Sequence, residues 1–479
     1  MTASVLHHAA AATLCLLVVP TAVPAEDLLW ATSAGSADLQ PSGADAALNW
    51  RRETGKPTSL IHVRIARKLL APLFEQKVTR YTKVHDQILD SLVIGSSKTE
   101  GEIRMEMVPS SQHAVFDVIF TGKSVAKAHG TNEWVVAPTQ THTTLAARTR
   151  IIYDGQTLLA HPSRGQARSQ VNVLRVIPRP AGLFRRQVPH RFIERAGWRQ
   201  VRRTLALREK IVAQLSVARL QRFLDRELAA EMAKIEFPGH LLTALQNVGL
   251  SPGHLKVSST SQALHLDVQL PETTAITALG ALPVLQSDAD IVVSVHQSAV
   301  DRLGHRLLSG AILDQTGLSR DGRQLLASQP LPAQLQLTMD HQQPIGIRFA
   351  DGLLDLTLKS SHCELVETPM PGFGLQVRCR LQPTETGLRT QLVGPPRVTP
   401  SGPQNWSLAM IPLKQMVERA LASQLSDRIL TKSVLQIERL GQPGLRPTYS
   451  NSANGWLTLA WTRPPAAPVE ALLADQAKP

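Results

Sequence analysis

The chain has 479 residues and a formal charge of +13, from 51 Lys and Arg against 38 Asp and Glu, with 43% apolar and 19% charged residues. At about 150 residues per domain this is two or three domains with ample core, and such a composition excludes a chain disordered throughout. No apolar run of about 18 residues or more follows the N-terminus, which excludes an internal transmembrane helix, and 4% aromatics leave few rings for stacking on bases.

Residues 1–25 read as a secretory signal peptide: an apolar segment from Ala9 to Val19, then Pro20, then Val23-Pro24-Ala25 before Glu26-Asp27. The start of this segment carries His7 and His8 but no Lys or Arg, a departure from the usual pattern. Cys15 lies inside the apolar segment, so the exported chain keeps Cys363 and Cys379. Both sit in alternating, strand-like stretches that flank Pro369-Met370-Pro371-Gly372. A hairpin centred on Pro371 would place Cys363 opposite Cys379 and permit a disulfide, which export favours over two free thiols.

Residues 26–59 read as a flexible leader rich in Ala, Ser and Gly. A first module, 60–270, begins with the strand Ile61–Ile65, which runs into a short amphipathic helix bearing Leu69, Leu70 and Leu73 with Pro72 inside it. Alternating segments follow at Glu102–Val108, Val115–Phe120, Trp134–Val136, Thr143–Ile152 and Gln156–Ala160, and the stretch containing Pro162, Pro178, Pro180 and Pro189 reads as a linker. A long helix over about 192–235 comes next, free of internal Pro, and strands at Leu255–Val257 and Ala263–Leu270 end the module.

Residues 271–289, rich in Pro, Thr and Ala, form a second linker. A second module, 290–463, repeats the order: the strand Ile291–Val295 into a helix at Ser298–Leu308, strands between Gln334 and Val393, a helix at Leu413–Ile429, then strands at Val434–Ile437 and Trp456–Trp461. The expected fold is therefore α+β: two similar modules, each an antiparallel curved sheet packed on helices, related by internal duplication. Residues 464–479 form a disordered tail.

The excess charge is concentrated in one element. Between Arg185 and Arg226 eleven Arg and one Lys face three acids, which gives +9 of the chain's +13. At about 100° per residue Trp198, Val201, Leu205, Val212 and Leu215 share one face, and Arg191, Arg195, Arg199, Arg202, Arg203 and Lys210 fall opposite. An apolar stripe docks such a helix, and an outward guanidinium row suits phosphate or carboxylate. Arg208, Arg219 and Arg226 drift onto the other face, so the helix bends or is contacted on both sides. The competing reading is a row that only solvates the helix.

Catalytic motifs are missing: no HExxH, CxxC pair, GxSxG, Walker loop or GxGxxG occurs. Asp340-His341 reads as turn chemistry, and the pairs Asp86 with Asp90 and Asp288 with Asp290 read as caps or turns. No catalytic residue, metal site or cofactor is expected.

The order of elements in both halves and the single pair of exported cysteines resemble the tubular lipid-binding superfamily that includes bactericidal/permeability-increasing proteins. The strand-to-helix start, the central Arg-rich helix and Gly455-Trp456-Leu457 are also similar to secreted bacterial families to which no activity is attached. The resemblance implies an exported, non-catalytic envelope protein, periplasmic, outer-envelope associated or secreted, that binds an anionic or amphiphilic lipid-like ligand or surface. Its partner would be an anionic lipid or envelope polymer rather than nucleic acid. The alternative is a structural or assembly protein whose Arg row meets an acidic envelope protein.

Overall fold

The computed structural model describes residues 59–155, 157–179, 190–233, 255–269, 282–283, 288–314, 317–320, 323–327, 335–365, 368–385, 387–401, 411, 414–415, 418, 428–430 and 445–464. The signal, almost all of the leader, most of the 271–289 linker, the tail beyond 464 and most of the helix and strand expected between Leu413 and Ile437 lie outside them. Among the described residues the chain is mostly antiparallel sheet with three helices, α1 (Arg67–Phe74), α2 (His190–Ala233) and α3 (Gln297–Leu308). None of these helices is long and apolar enough to cross a membrane.

A six-stranded sheet joins the two sequence halves. Its order is β23 (Arg446–Ala453), β24 (Trp456–Thr462), β11 (Ile291–His296), β1 (Ser59–Ala66), β10 (Ala263–Gln269) and β9 (Leu255–Ser259). The seam is β1 against β11, with Val63 opposite Val293. Each seam strand enters a helix, α1 or α3, and each is flanked by the hairpin that ends its own half of the sequence. One face carries Ile61, Ile65, Leu264, Leu266, Val295 and Leu459, all buried, as period-two alternation requires.

The compact units therefore do not follow the sequence halves. One unit is Arg67–Glu236 with Ser258–Gln262; the other holds Met1–Ala66, Phe237–Val257 and Ala263–Pro479. The strands at both ends of the 60–270 module belong with those of the second half, because backbone pairing of β1 to β11 outweighs adjacency in sequence.

The first of these units is built on a seven-stranded sheet: β2 (Gln76–Ile88), β3 (Ser91–Val108), β4 (Ala114–Thr131) and β5 (Val135–Tyr153), with β6 (Leu158–Ala160), β7 (Arg164–Val173) and β8 (Ile177–Pro178) end to end along the outer edge of β5. Three of these strands, β3, β4 and β5, are much longer than the alternation of apolar residues suggests, and β2 has no counterpart among the expected strands. The stretch after Pro162, expected as a linker, contains β7, whose inward positions are Gly165, Ala167, Ser169, Val171 and Val173.

An eleven-stranded sheet, β12 to β22, occupies Ile312 to Leu430 in the other unit. Here the disulfide expectation fails. Strand β17 (Leu353–Leu365) pairs with β18 (Thr368–Pro371) and β19 (Phe373–Thr384) in one continuous register that sets Cys363 opposite Met370 and Cys379 opposite Leu354. Leu365 stands opposite Thr368, so the pairing is not centred on Pro371, and Pro369 and Pro371 instead sit in the short strand β18. Nine residues of β17 separate Leu354 from Cys363, about 30 Å at strand rise, against the roughly 5–6 Å that a disulfide spans. Both thiols are free, and burial pushes each up to about 11, so neither is a ready thiolate.

Candidate functional site

Helix α2 has 44 residues, about 66 Å at helical rise, and its Ala, Leu, Arg and Gln content explains an uninterrupted run. It bridges the two edges of the seven-stranded sheet. On the β7 edge, Glu209 accepts from the Val171 N–H at 3.0 Å and Asp225 from the Ser163 N–H at 3.0 Å, while Gln221 donates to the Ser163 carbonyl at 2.8 Å. Gly165 lets Val217 approach, since a Cβ there would stand 3.2 Å from its Cγ1.

On the β2 edge the contacts are side chain to side chain. Arg208 donates to Asp90 at 3.1 Å, Arg219 pairs with Asp86, and Arg80 stacks over the Phe223 ring at 4.7 Å. Edge strands leave unpaired backbone groups; here the helix acids satisfy two on one edge and its arginines clasp carboxylates on the other. A sheet whose opposite edges touch one helix must curve around it.

The helix is buried only near its ends. Ile193 anchors the first turn and Leu220, Leu224 and Leu228 the last part, while no residue from Glu194 to Arg219 is buried. The sheet explains the difference. At one end its inward face carries Ile103, Met105, Phe116, Val118, Phe120 and Ile151, all buried. Beyond Phe120 the rows change. Cross-strand register aligns Arg80, Thr99, Ser124, Thr143 and Ser169; beside them lie Thr82, Ser97, Ala126, Thr141 and Val171; then come Gly95, Ala128 and Thr139, and Gly130 with Ala137.

Small side chains under a helix leave space. A cavity of about 420 Å³ lies between this part of the sheet and α2, reached on the helix by Val201, Val212 and Leu215 among others. Its floor toward the packed end is the Phe120 ring, which crosses Gly101 and Gly122; a Cβ on either would meet the ring at 2.6 and 2.8 Å. The wall hydroxyls satisfy one another: Thr99 donates to Ser124 at 3.0 Å, and Thr82 with Ser97 and Thr143 with Ser169 lie at 2.6 and 2.9 Å. Charged side chains line it too, among them Arg80, Arg208, Arg219, Arg222, Arg226 and Glu227. Among the described residues Arg80, Arg222 and Arg226 have no acidic partner, so the cavity carries uncompensated positive charge.

By structure, the chain is similar to a lipopolysaccharide binding protein at 11% identity and a TM-score of 0.28, over 84% of this chain and 98% of that one. It is similar also to P47 from Clostridium botulinum A2, at 7% identity and a TM-score of 0.26, over 87% and 100%. No family model and no curated protein matches the chain. The likeness to a lipopolysaccharide binding protein is weak and architectural.

Arg191, Arg195, Arg199, Arg202, Arg203 and Lys210 are all exposed, Trp198, Val201, Leu205, Val212 and Leu215 are half-buried, and Val201, Val212 and Leu215 line the cavity. The arginines that drift, Arg208, Arg219 and Arg226, line the cavity together with Arg222. The cavity wall itself escapes sequence reasoning, because Ser, Thr and Gly at inward positions carry no apolar alternation; the long uninterrupted antiparallel register is visible only in pairing.

One further constellation appears in the six-stranded sheet. Asp267, His62, Ser294 and Thr458 stand opposite one another on four neighbouring strands, with His62 Nδ1 and Asp267 Oδ1 at 2.5 Å. This is the order of an acid, a base and a hydroxyl nucleophile. The hydroxyl is spent elsewhere: Ser294 is 3% exposed and its Oγ lies 3.0 Å from Thr458 Oγ1, which is itself sealed. Trp456 covers the array, its ring centroid 5.3 Å from that of His62 and 4.9 Å from that of His296. Nothing in that arrangement presents Ser294 to a substrate. Asp340, the other acid beside a histidine, accepts the Gln342 and Gln343 N–H groups at 2.8 and 2.7 Å, which hold its carboxyl below the usual range, as a turn residue does.

Proposed function

We propose that the chain is an exported, non-catalytic envelope protein that binds an anionic or amphiphilic, lipid-like ligand in the cavity beneath α2. The observation that carries this reading is the space itself: about 420 Å³ between the sheet and the helix, within the roughly 300–1,000 Å³ of small-molecule sites. Its lining matches an amphiphile. Val84, Val93, Val135, Val212 and Leu215 offer apolar contact, the hydroxyl rows suit an ester or glycerol region, and Arg80, Arg222 and Arg226 suit an anionic head. The symmetric strand order about the β1–β11 seam supports an internal duplication as the origin of the fold.

The test is a titration of delipidated protein with lysophosphatidylglycerol, a single-chain anionic amphiphile. Wild type should bind saturably. Ala126→Phe, which places a ring in the cavity, should keep its thermal unfolding temperature yet bind at least about tenfold more weakly. Absence of saturable binding, or equal affinity in a folded Ala126→Phe, would contradict the reading.

A second reading has one observation in its favour. Among the described residues the exposed row Arg191, Arg195, Arg199, Arg202, Arg203 and Lys210 has no acidic partner. On that reading the chain is an assembly protein, and a lipid-free preparation should capture one acidic envelope protein, with capture lost when Arg195, Arg199, Arg202 and Arg203 become Gln.

A further inference from the structure

Exposed apolar side chains gather at one end of the unit that holds the cavity. The turn between β2 and β3 presents Leu89; the turn between β4 and β5 presents Trp134; Leu174 follows β7 and Ile177 lies in β8; and Phe192 is in the first turn of α2. Hydrogen bonds hold these pieces together. Asn132 donates from Nδ2 to Asp90 at 3.4 Å and accepts the Trp134 and Val135 N–H groups at 3.0 and 2.9 Å. Arg179 N donates to the Trp134 carbonyl at 2.7 Å and Leu174 N to that of Pro138 at 2.9 Å. Gly197 brings the start of α2 to the same place, since a Cβ there would lie 2.8 Å from Val176 and 3.4 Å from Val135.

Stability does not account for this display. Trp134, Leu174 and Phe192 are 53%, 63% and 66% exposed. Leu89 has φ of 53°, a left-handed conformation that a bulky side chain adopts only under strain, and it points a leucine into solvent. An exposed apolar group with a polar rim marks an interaction surface. The rim here is cationic: Arg175, Arg179, Arg191 and Arg195 are exposed, against Glu133, Glu194 and Asp90, and Asp90 is paired with Arg208.

We infer that this end of the unit docks on an anionic lipid bilayer, with Trp134, Leu174 and Phe192 entering the interface and the four arginines meeting headgroups. An indole and apolar side chains set in a ring of guanidinium groups match the headgroup boundary, where a ring sits between wet and apolar layers and anionic lipid attracts cations. Charge complementarity and small, separate protrusions favour a bilayer over a protein, which would need about 800 Å² of matched surface. The cavity lining reaches the same end at Ile88, Ser91, Val135 and Gly197, so a docked bilayer would sit beside the proposed ligand site. The inference stands apart from that reading, because its test needs no ligand uptake.

The test is flotation of the full chain with vesicles. Wild type should partition onto vesicles of mixed phosphatidylglycerol and phosphatidylcholine, and much less onto phosphatidylcholine alone or at high salt. The combined Trp134→Ser, Leu174→Ser and Phe192→Ser variant should partition at least about tenfold less, and Arg175, Arg179, Arg191 and Arg195 changed to Gln should abolish the preference for phosphatidylglycerol. A second measurement holds even if the triple variant does not fold. Brominated phospholipid should quench wild-type tryptophan fluorescence, and Trp134→Phe, which keeps a ring, should bind normally but lose most of that quenching. Wild type that ignores phosphatidylglycerol vesicles, a folded triple variant that binds like wild type, or quenching unchanged in Trp134→Phe would each overturn the inference, as would capture of a protein in place of vesicles.

Discussion

The two ends of the seven-stranded sheet share one backbone and differ only in what their inward positions carry. At one end Ile103, Met105, Phe116, Val118, Phe120 and Ile151 fill the interior. At the other, strands continuous with the first and in unbroken register present Gly, Ala, Ser and Thr, and the interior is a cavity. Side-chain size, not topology, therefore makes the cavity. The helix above both ends shows the same contrast, buried at Leu220, Leu224 and Leu228 and merely half-buried over the small residues.

Phe120 stands at the boundary, so truncating it is the largest way to break the contrast. Phe120→Ala should destabilise the unit by about 3–5 kcal/mol in urea unfolding, because the lost ring both removes buried area and joins the cavity to the core. A change below about 1 kcal/mol would mean that the packed end does not depend on its floor.

The packed end is also the part that can be read in the sequence. Glu102–Val108 and Val115–Phe120 alternate because one face meets the core, and they are seen as strands. The same two strands run on to Ser91 and Thr131, β2 pairs with the first of them and β7 with the next strand, β5, yet these stretches carry Arg80, Thr82, Ser97, Thr99, Ser124 and Ser169 at inward positions, which period-two hydropathy cannot distinguish from a loop. The reading fails where the wall is polar, and there the cavity lies. The long helix is legible because its periodicity is local, as is the exposed row from Arg191 to Lys210. The partners of the drifting arginines are not: Asp86 and Asp90 lie 133 and 118 residues from Arg219 and Arg208 in sequence. The misplaced disulfide has a similar origin. Pro and Gly mark a turn but do not fix register, and a pairing that sets Leu365 opposite Thr368, rather than one centred on Pro371, separates the two cysteines along the strand.

A smaller effect is expected within the open end. Thr99 and Ser124 satisfy each other, so Thr99→Val should cost about 1 kcal/mol by leaving Ser124 without its donor, whereas Thr99→Val combined with Ser124→Ala should cost no more than the single change. A double-mutant cycle in urea reads this coupling. Strict additivity would indicate that the hydroxyls act independently and that the polar wall is not a paired belt.

The central proposal is that a ligand occupies the cavity between the small side chains of the open end and α2. Native mass spectrometry of the chain, expressed with its envelope and purified without detergent, tests this most directly. A fraction of wild type should carry one amphiphile of lipid mass that is released on denaturation, and Ala126→Phe should run at the mass of the bare chain. Wild type free of any bound amphiphile, or Ala126→Phe carrying it at the same occupancy, would contradict it.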